Sequence, residues 1–454
     1  MREQSMPELP AALVHEKHEL SNGMRVVICR RPHLHRICLL LNVASGCRDE
    51  HLPGTAHMLE HLVFRGSKNH PSLRLLSEAF EACGADFNAY TAREVTSYDV
   101  SMPAESLGNV LSLLGEVICG PRLSGIASER DIIREEILSD YDADNSLINV
   151  DDLLVSQFYG EAGRPIAGDP DDLAKISRSE VVAFYEAHYA APNMLLVMTG
   201  PIGPTQEVLD VLESSFRSLR REFNPWRRRA MPEIYFRALM ENRRTEPRLC
   251  LKKYDGATQS EVLLGFLTPA AGSAAFPAIE MLVRVLDDGM ASRLSRRLVE
   301  ECALVYDTEA FISTTQESTL LQIRATCRHR RVARVLGAVY ELIREIARDG
   351  IEDAELDRLR KRVIWEHLGM LDGVAQLAQW LSSMILQDMP SDIRVRCQKL
   401  VSVSGEDIRA AAEHLLESCS HIAAIVGDIG DRGVDEIRET MKQSLNTGIG
   451  VTVI

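Results

Sequence analysis

Ser177-Arg-Ser-Glu-Val-Val-Ala-Phe184, followed by Met194-Leu-Leu-Val-Met-Thr-Gly200-Pro-Ile-Gly203, has an echo 227 residues further on. There Ser404-Gly-Glu-Asp-Ile-Arg-Ala-Ala411 leads to Ile422-Ala-Ala-Ile-Val426 and Gly427-Asp-Ile-Gly430. Each copy opens a helix with a Ser and an acidic residue three positions later, the reciprocal pattern of a capping box. Each then runs through an apolar strand, a Gly-x-Ile-Gly turn and an amphipathic helix, Glu207 to Phe216 and Asp435 to Leu445. Four elements in one order at one spacing indicate a duplicated unit. We therefore expect an α+β protein of two homologous α/β-roll domains, each an antiparallel sheet with packed helices. The expected bounds are 1–223, a linker at 224–247, and 248–454. The linker stretch, Asn224-Pro-Trp-Arg-Arg-Arg229 through Arg243-Arg-Thr-Glu-Pro247, is charged and interrupted by proline.

Upstream of the first copy, Met24 to Cys29 and Ile37 to Val43 read as strands, and Ala85 to Val100 as two more with a turn near Ala92-Arg93. Helices are expected at Leu73 to Cys83, Ser106 to Cys119, Ser128 to Leu138 and Asn149 to Tyr159. Between the second and third strands lies Gly54-Thr-Ala-His-Met-Leu-Glu-His-Leu-Val-Phe64, a helix opened by Pro53-Gly54 and closed by Gly66. His57 and His61 are four apart and share a face. Glu60 stands about 60° from His57 around the axis at about 100° per residue. Two neutral imidazoles so placed can hold a zinc ion, with a carboxylate near enough to take a proton from water. In the second copy the place after the strand Glu261 to Leu267 is Thr268-Pro-Ala-Ala-Gly-Ser-Ala-Ala275. One copy carries the site and the other does not.

A catalytic zinc site commonly takes three protein ligands, so one more is required. The tract Ser128-Glu-Arg-Asp-Ile-Ile-Arg-Glu-Glu-Ile-Leu138 offers Glu129, Glu135 and Glu136. Ile126, Ile132, Ile133 and Ile137 define an apolar arc of roughly 140° at the helical repeat. Glu129 and Glu136 fall inside that arc and Glu135 outside it. A carboxylate on a buried stripe must be paired or bound to a metal. Two of them stacked there suggest one ligand and one partner that orients a histidine.

Net charge is −15, which argues against nucleic-acid binding, since phosphates require clustered Lys and Arg. Ten cysteines are scattered with no Cys-x-x-Cys, so they read as reduced core thiols. Neither a signal-peptide core nor a membrane-spanning apolar run is evident, and a cytoplasmic protein is the expectation. His15-Glu-Lys-His-Glu19 looks like a metal motif but sits in a polar N-terminal arm and reads as solvated surface. His33 and His35, beside Pro32, read the same way, and Trp365-Glu-His367 as helix surface or core.

Together, His57-Met-Leu-Glu-His61, Phe64-x-Gly-Ser67, Asn88-Ala-Tyr-Thr91 and Glu129-Arg130 through Glu136 resemble the pitrilysin/insulinase family of zinc peptidases. The closer likeness is the half-size branch that includes mitochondrial processing peptidase and its bacterial relatives. The resemblance implies that His57, His61 and Glu136 bind Zn2+, that Glu60 is the general base, and that Glu129 supports the catalytic site. It implies that Asn88 and Ala89 lie on an edge strand where an extended peptide adds as a further strand. The family usually has an Arg and a Tyr seven apart in the second copy that grip the substrate. Here Tyr306 fills the Tyr position, whereas the Arg position is Val299, with Arg296 and Arg297 out of register. We therefore expect a heterodimer, rather than a homodimer, in which a related half-size subunit supplies the Arg. The function expected is a zinc endopeptidase acting on unfolded or short peptides. The competing reading is a non-catalytic scaffold subunit that has kept the fold.

Overall fold

The computed structural model describes residues 6–222, 247–316, 318–417, 420–445 and 448–454. Apart from Pro247, the expected linker lies outside the described residues. Among the described residues, twelve strands form two six-stranded sheets. The first contains β1 (Glu16–Glu19), β2 (Arg25–Arg30), β3 (Arg36–Val43), β4 (Asp86–Thr91), β5 (Thr96–Pro103) and β6 (Met194–Gly200), in the order β1-β2-β6-β3-β5-β4. The second contains β7 (Arg248–Lys253), β8 (Ser260–Thr268), β9 (Val305–Thr314), β10 (Thr319–Cys327), β11 (His421–Gly427) and β12 (Gly450–Val453), in the order β12-β7-β11-β8-β10-β9. β6 and β11 begin and end 227 residues apart, as the repeat requires. Two homologous sheet-plus-helix units follow. The sheets are not wholly antiparallel: β2 runs parallel to β6, and β7 runs parallel to both β11 and β12.

The segment read as a solvated arm is β1, which completes the outer edge of the first sheet beside β2. Its counterpart, β12, comes from the other end of the chain. His15 is part-buried, its Nδ1 donating to the Leu13 carbonyl at 3.3 Å and its Nε2 lying 3.2 Å from Ser391 Oγ. The polar letters of this stretch hid a strand because β1 is held by its ladder to β2 and buries none of its own side chains.

In the first unit the helices are α1 (Thr55–Val63), α2 (Leu73–Ala82), α3 (Leu107–Cys119), α4 (Ile126–Glu136), α5 (Val150–Tyr159), α6 (Pro170–Lys175), α7 (Arg178–His188) and α8 (Thr205–Phe216). β3 shows why its sequence is apolar almost throughout. Ile37, Leu39, Leu41 and Val43 enter the core under α1, α3, α7 and α8. Cys38 and Leu40 point to the opposite face, where Leu377, Ala378 and Leu381 of the helix Val374–Leu386 cover them. That helix belongs to the second unit. The exchange is reciprocal, because α5 of the first unit lays Leu153, Leu154 and Phe158 on Leu263, Ile422 and Ala424 of the second sheet. A Cβ on Gly265 would come within 2.8 Å of Leu154, so glycine there lets α5 sit on β8. Each such buried side chain is worth about 2 kcal/mol of transfer free energy. Parting the units would expose both faces at once.

Nine cysteines among the described residues are free, five of them buried, and Cys419 lies outside those residues. No described helix is long and apolar enough to cross a membrane.

Candidate metal centre

α1 begins at Gly54, whose φ of +84° places it in the left-handed region. A Cβ there would meet the Ala167 carbonyl at 2.3 Å, so the loop before α6 packs directly on the helix start. Gly54 has no side chain with which to cap the first turn. Glu50 does so instead, its two carboxylate oxygens accepting from Gly54 N–H at 2.7 Å and Ala56 N–H at 2.8 Å. Burial pushes the Glu50 carboxyl up to about 8, against those two bonds. Sequence reading missed Glu50. The available signal was an acidic residue just ahead of a helix whose N-cap is a glycine.

Along α1 every residue but His61 is buried. His57 and Glu60 are each 8% exposed and line, with His61, a cleft of about 360 Å³ between α1, β4, the end of α4 and the 165–168 loop. α4 delivers both acidic residues that helical phase singled out. Glu136 spans the histidines, with Oε1 3.6 Å from His57 Nε2 and Oε2 3.4 Å from His61 Nε2. Glu129, 4% exposed, accepts from His61 Nδ1 at 3.2 Å and pairs with Arg65. That contact orients the His61 ring and turns Nε2 toward Glu136 and the cleft. Glu60 receives the Thr91 hydroxyl on Oε2 at 2.6 Å.

The helical stripe on α4 differs from expectation in two places. Ile132 is 48% exposed, and the Glu136 side chain is half open to the cleft. Only Glu129 and Ile133 of this helix are fully buried. The phase identified the face that meets α1, but α4 stands at the rim, so its C-terminal end reaches solvent through the cleft.

Electrostatics follow from burial. Desolvation, with a smaller contribution from neighbouring His61, lowers His57 to about 4, so its imidazole is neutral at physiological pH. Desolvation raises Glu60, opposed by the Thr91 hydrogen bond. His57, His61 and Glu136 each offer a donor atom, and the three lie within 4.8 Å of one another. His57 Nδ1 is enclosed without a hydrogen-bond partner, and Glu136 faces imidazole nitrogens rather than a Lys or Arg. Two imidazole nitrogens and one carboxylate, with no Lys or Arg among them, fit a divalent ion of the zinc type.

Asn88 and Ala89 lie on β4, which pairs only with β5 among the described strands and so forms the sheet edge beside the cleft. Ala89 lines the cleft, whereas Asn88 points away from it and is exposed. Tyr306 is not brought to the cleft. It stands at the start of β9, 96% exposed. Val299 is partly buried and packs against the second core, on a π-helical turn at Ser295–Glu301. Arg297 pairs with Glu301 and Glu345, and Arg296 with Glu301, so neither is turned toward the α1 cleft by its ion pairs. Asp140, Tyr141 and Asp152, all at the cleft, were not singled out in the sequence, and Thr91 entered only as the end of a motif, without a role. Their signal is positional only, lying after or beside elements that were.

Residues 25–169 match the model of the insulinase peptidase family M16, and 175–363 match that of the peptidase M16 inactive domain. The chain belongs to the M16, or pitrilysin/insulinase, peptidase family. Among its relatives is an uncharacterized zinc protease of Mycobacterium tuberculosis, 28% identical over 443 residues, covering 95% of this chain and 97% of the relative. An uncharacterized zinc protease of Bacillus subtilis is 23% identical and covers 77% of this chain and 82% of its own. Among solved structures, a protease from Helicobacter pylori superposes with a TM-score of 0.79 at 20% identity, over 92% of this chain and all of the other. The first half of the periplasmic protease PqqL from Escherichia coli gives 0.72 at 19%, over 97% and 98%. These structural likenesses establish a shared two-unit fold, and the half-size length agrees with that of the M16 relatives.

Proposed function

We propose that this chain is a zinc-dependent endopeptidase of unfolded or short peptides and the catalytic subunit of a dimer. The observation that carries the reading is the donor trio His57, His61 and Glu136, with Glu60 beside it and no Lys or Arg pairing with Glu136 among the described residues. These three residues would hold the ion. Zinc bound there supplies Lewis acidity toward a carbonyl oxygen and toward water. Glu60 takes a proton from the attacking water and returns it to the leaving amine; burial, which raises its proton affinity, suits it to both steps. The Thr91 hydroxyl holds Oε2 so that the carboxylate keeps one orientation during the transfer. Glu129 positions His61 through Nδ1. The open edge of β4 at Asn88 and Ala89 aligns the peptide by main-chain hydrogen bonds, which favours extended over folded substrates.

The partner reading rests on the second unit. Val299 stands where the family has Arg, its neighbouring arginines are engaged, and Tyr306 is solvent-exposed away from the cleft. A second, related half-size subunit would supply the Arg, and Tyr306 remains available at such an interface. Free thiols throughout the described chain favour a reducing, cytoplasmic compartment. The scaffold reading is disfavoured by the intact donor set.

The deciding experiment measures zinc stoichiometry and peptide hydrolysis of the purified chain, alone and with its co-purifying partner. One zinc per chain, with hydrolysis abolished in Glu60→Gln while the metal is retained, is the expected result. A chain that binds no zinc, or a Glu60→Gln variant that cleaves normally, overturns the reading. Full activity of the isolated chain, unchanged by any partner, removes the dimer proposal alone.

A further inference from the structure

Tyr90 and Ile166 line both the cleft at α1 and a second cavity of about 390 Å³. This second cavity lies toward the opposite face of the first sheet. Phe87 and Ala89 of β4 join the core beneath α1 and Thr91 reaches Glu60, so the alternate residues Asn88 and Tyr90 point the other way. Asn42 of β3, which lines the cavity, is on that same face with Cys38 and Leu40.

The remaining walls come mostly from the second unit. The helix Val374–Leu386 contributes Gln379, Ser382 and Ser383, and the β9–β10 hairpin contributes Ser313, Thr314 and Gln316. The charged groups of the wall, Arg93 and Glu94, are on the β4–β5 turn and are already compensated. Arg93 donates to Asp152 Oδ1 at 3.0 Å and to the Arg164 carbonyl at 2.6 Å. Glu94 accepts from the Gln316 N–H at 3.0 Å and pairs with Arg48. The lining thus sets hydroxyls and amides among the apolar side chains of Val95, Ile166 and Leu386, and offers an entering charge no unpaired counter-charge.

A peptide strand added to β4 alternates its side chains as β4 does. Those on one side meet α1 and the metal centre, and their neighbours are directed toward the second cavity. We infer that this cavity is a specificity subsite that takes an uncharged hydrogen-bonding side chain of the peptide (Ser, Thr, Asn or Gln) next to the position facing α1. The inference rests on β4 as the strand-addition edge. It also gives the unit without a metal centre a part in substrate selection. A Lys, Arg, Asp or Glu at that position loses hydration without gaining a partner, whereas an amide or hydroxyl exchanges its water for Gln379, Ser382 or Ser383.

The test uses the full chain and fluorescently labelled unfolded peptides in which each position in turn is Ala, Gln, Lys or Glu. At one register position, Gln binds at least about fivefold more tightly than Lys or Glu. Gln379→Glu, at an exposed site where folding is not at risk, turns that preference toward Lys, and Gln379→Leu reduces the Gln advantage toward Ala. Equal binding at every position, or a preference unmoved by Gln379→Glu, overturns the subsite. Hydrolysis of the same peptides by the zinc-loaded chain separates the two claims. Preference without cleavage keeps the subsite and removes the peptidase reading. Cleavage without preference removes the subsite and keeps the reading.

Discussion

The helix Phe276–Leu286 stands in the second unit where α1 stands in the first, and the two carry different side chains into matching clefts. Val43 faces Met194 across the first ladder and Phe266 faces His421 across the second. Counted onward from those strands without a gap, His57, Glu60 and His61 correspond to Glu280, Val283 and Arg284, which line a cleft of their own. Through β5 and β10 the register also carries Ala89 onto Ala310 and Thr91 onto Ile312. The side chains at these positions make different polar contacts in the second cleft. Glu280 pairs with Arg396, and Arg284 with Glu366 at 2.6 Å and Asp288 at 3.5 Å. Where Thr91 holds Glu60, Ile312 faces the Val283 position. One backbone therefore supports either a set of donors with no cation among them or a set of acids and bases that neutralise one another. Only the first set leaves a task for a metal ion.

The largest expected effect lies at Glu60. Glu60→Gln lowers the rate of peptide hydrolysis by roughly three orders of magnitude, with zinc stoichiometry unchanged. Val283→Gln, at the matching place in the second cleft, leaves the rate within about twofold, the scale of a surface-remote change. Steady-state kinetics on one peptide check both. A large loss in the second variant would show that the clefts are coupled rather than divided in function.

Stability ought to follow the exchange of helices rather than the boundary between units. Leu381 is fully buried against the first sheet, though it belongs to the second unit. Leu381→Ala costs about 2–5 kcal/mol, and Gly265→Val unseats α5 from β8 by direct overlap with Leu154 and Phe158. In both variants denaturant unfolding remains one transition reported alike by probes in either unit. Two separated transitions would show that the reciprocal packing does not bind the units together.

A titration distinguishes the clefts next. In the metal-free chain His57 is lowered to about 4 by burial, so between pH 6.5 and 4 the unfolded chain binds a proton that the folded chain does not. Stability therefore falls as pH falls through that window, by at most roughly 3 kcal/mol from this residue at about 1.4 kcal/mol per pH unit. His57→Leu removes that slope. Denaturation of metal-free protein at a series of pH values measures it, and identical slopes in the two proteins would contradict the burial argument. With zinc added, Glu129→Gln weakens metal affinity by about 10- to 100-fold, read by chelator competition, because His61 loses the carboxylate that orients it.

Much of this was legible in the letters. The 227-residue echo predicted β6 and β11 to within one residue at each end, since a central strand buried on both faces leaves an uninterrupted apolar run. His57, Glu60 and His61 were legible because ligand spacing is helical spacing. Glu129 was legible because an acid on a buried stripe requires a reason, whereas Glu136 shares its phase but stands half-exposed at the rim. β1 was not, because an edge strand of Glu, Lys and His carries no core signal. Glu50 was not, because a loop carboxylate that caps a neighbouring helix has no period. The second cleft was hidden for a different reason. Glu280 and Arg284 are four apart, a spacing that in sequence reads as an ordinary solvent-facing ion pair, and their actual partners come from residues 82 and 116 positions away.

The smallest predicted effect concerns the two sheet edges. β4 and β9 are counterparts, yet at the position that matches Ala89 the Ala310 N–H donates to Asp287 Oδ2 at 2.9 Å. The second edge is plugged at the point where the first would receive a peptide. Asp287→Ala removes one neutral donor's charged acceptor and costs about 1–2 kcal/mol of stability. Its more telling consequence is local. Amide exchange at Ala310 rises toward that of an unpaired edge, while exchange at Ala89 is unchanged. Peptide added to the wild-type chain protects Ala89 and leaves Ala310 as it was. Protection of Ala310 by peptide in the Asp287→Ala variant would mean that the aspartate, and not the missing metal centre alone, keeps the second edge from acting as the first does.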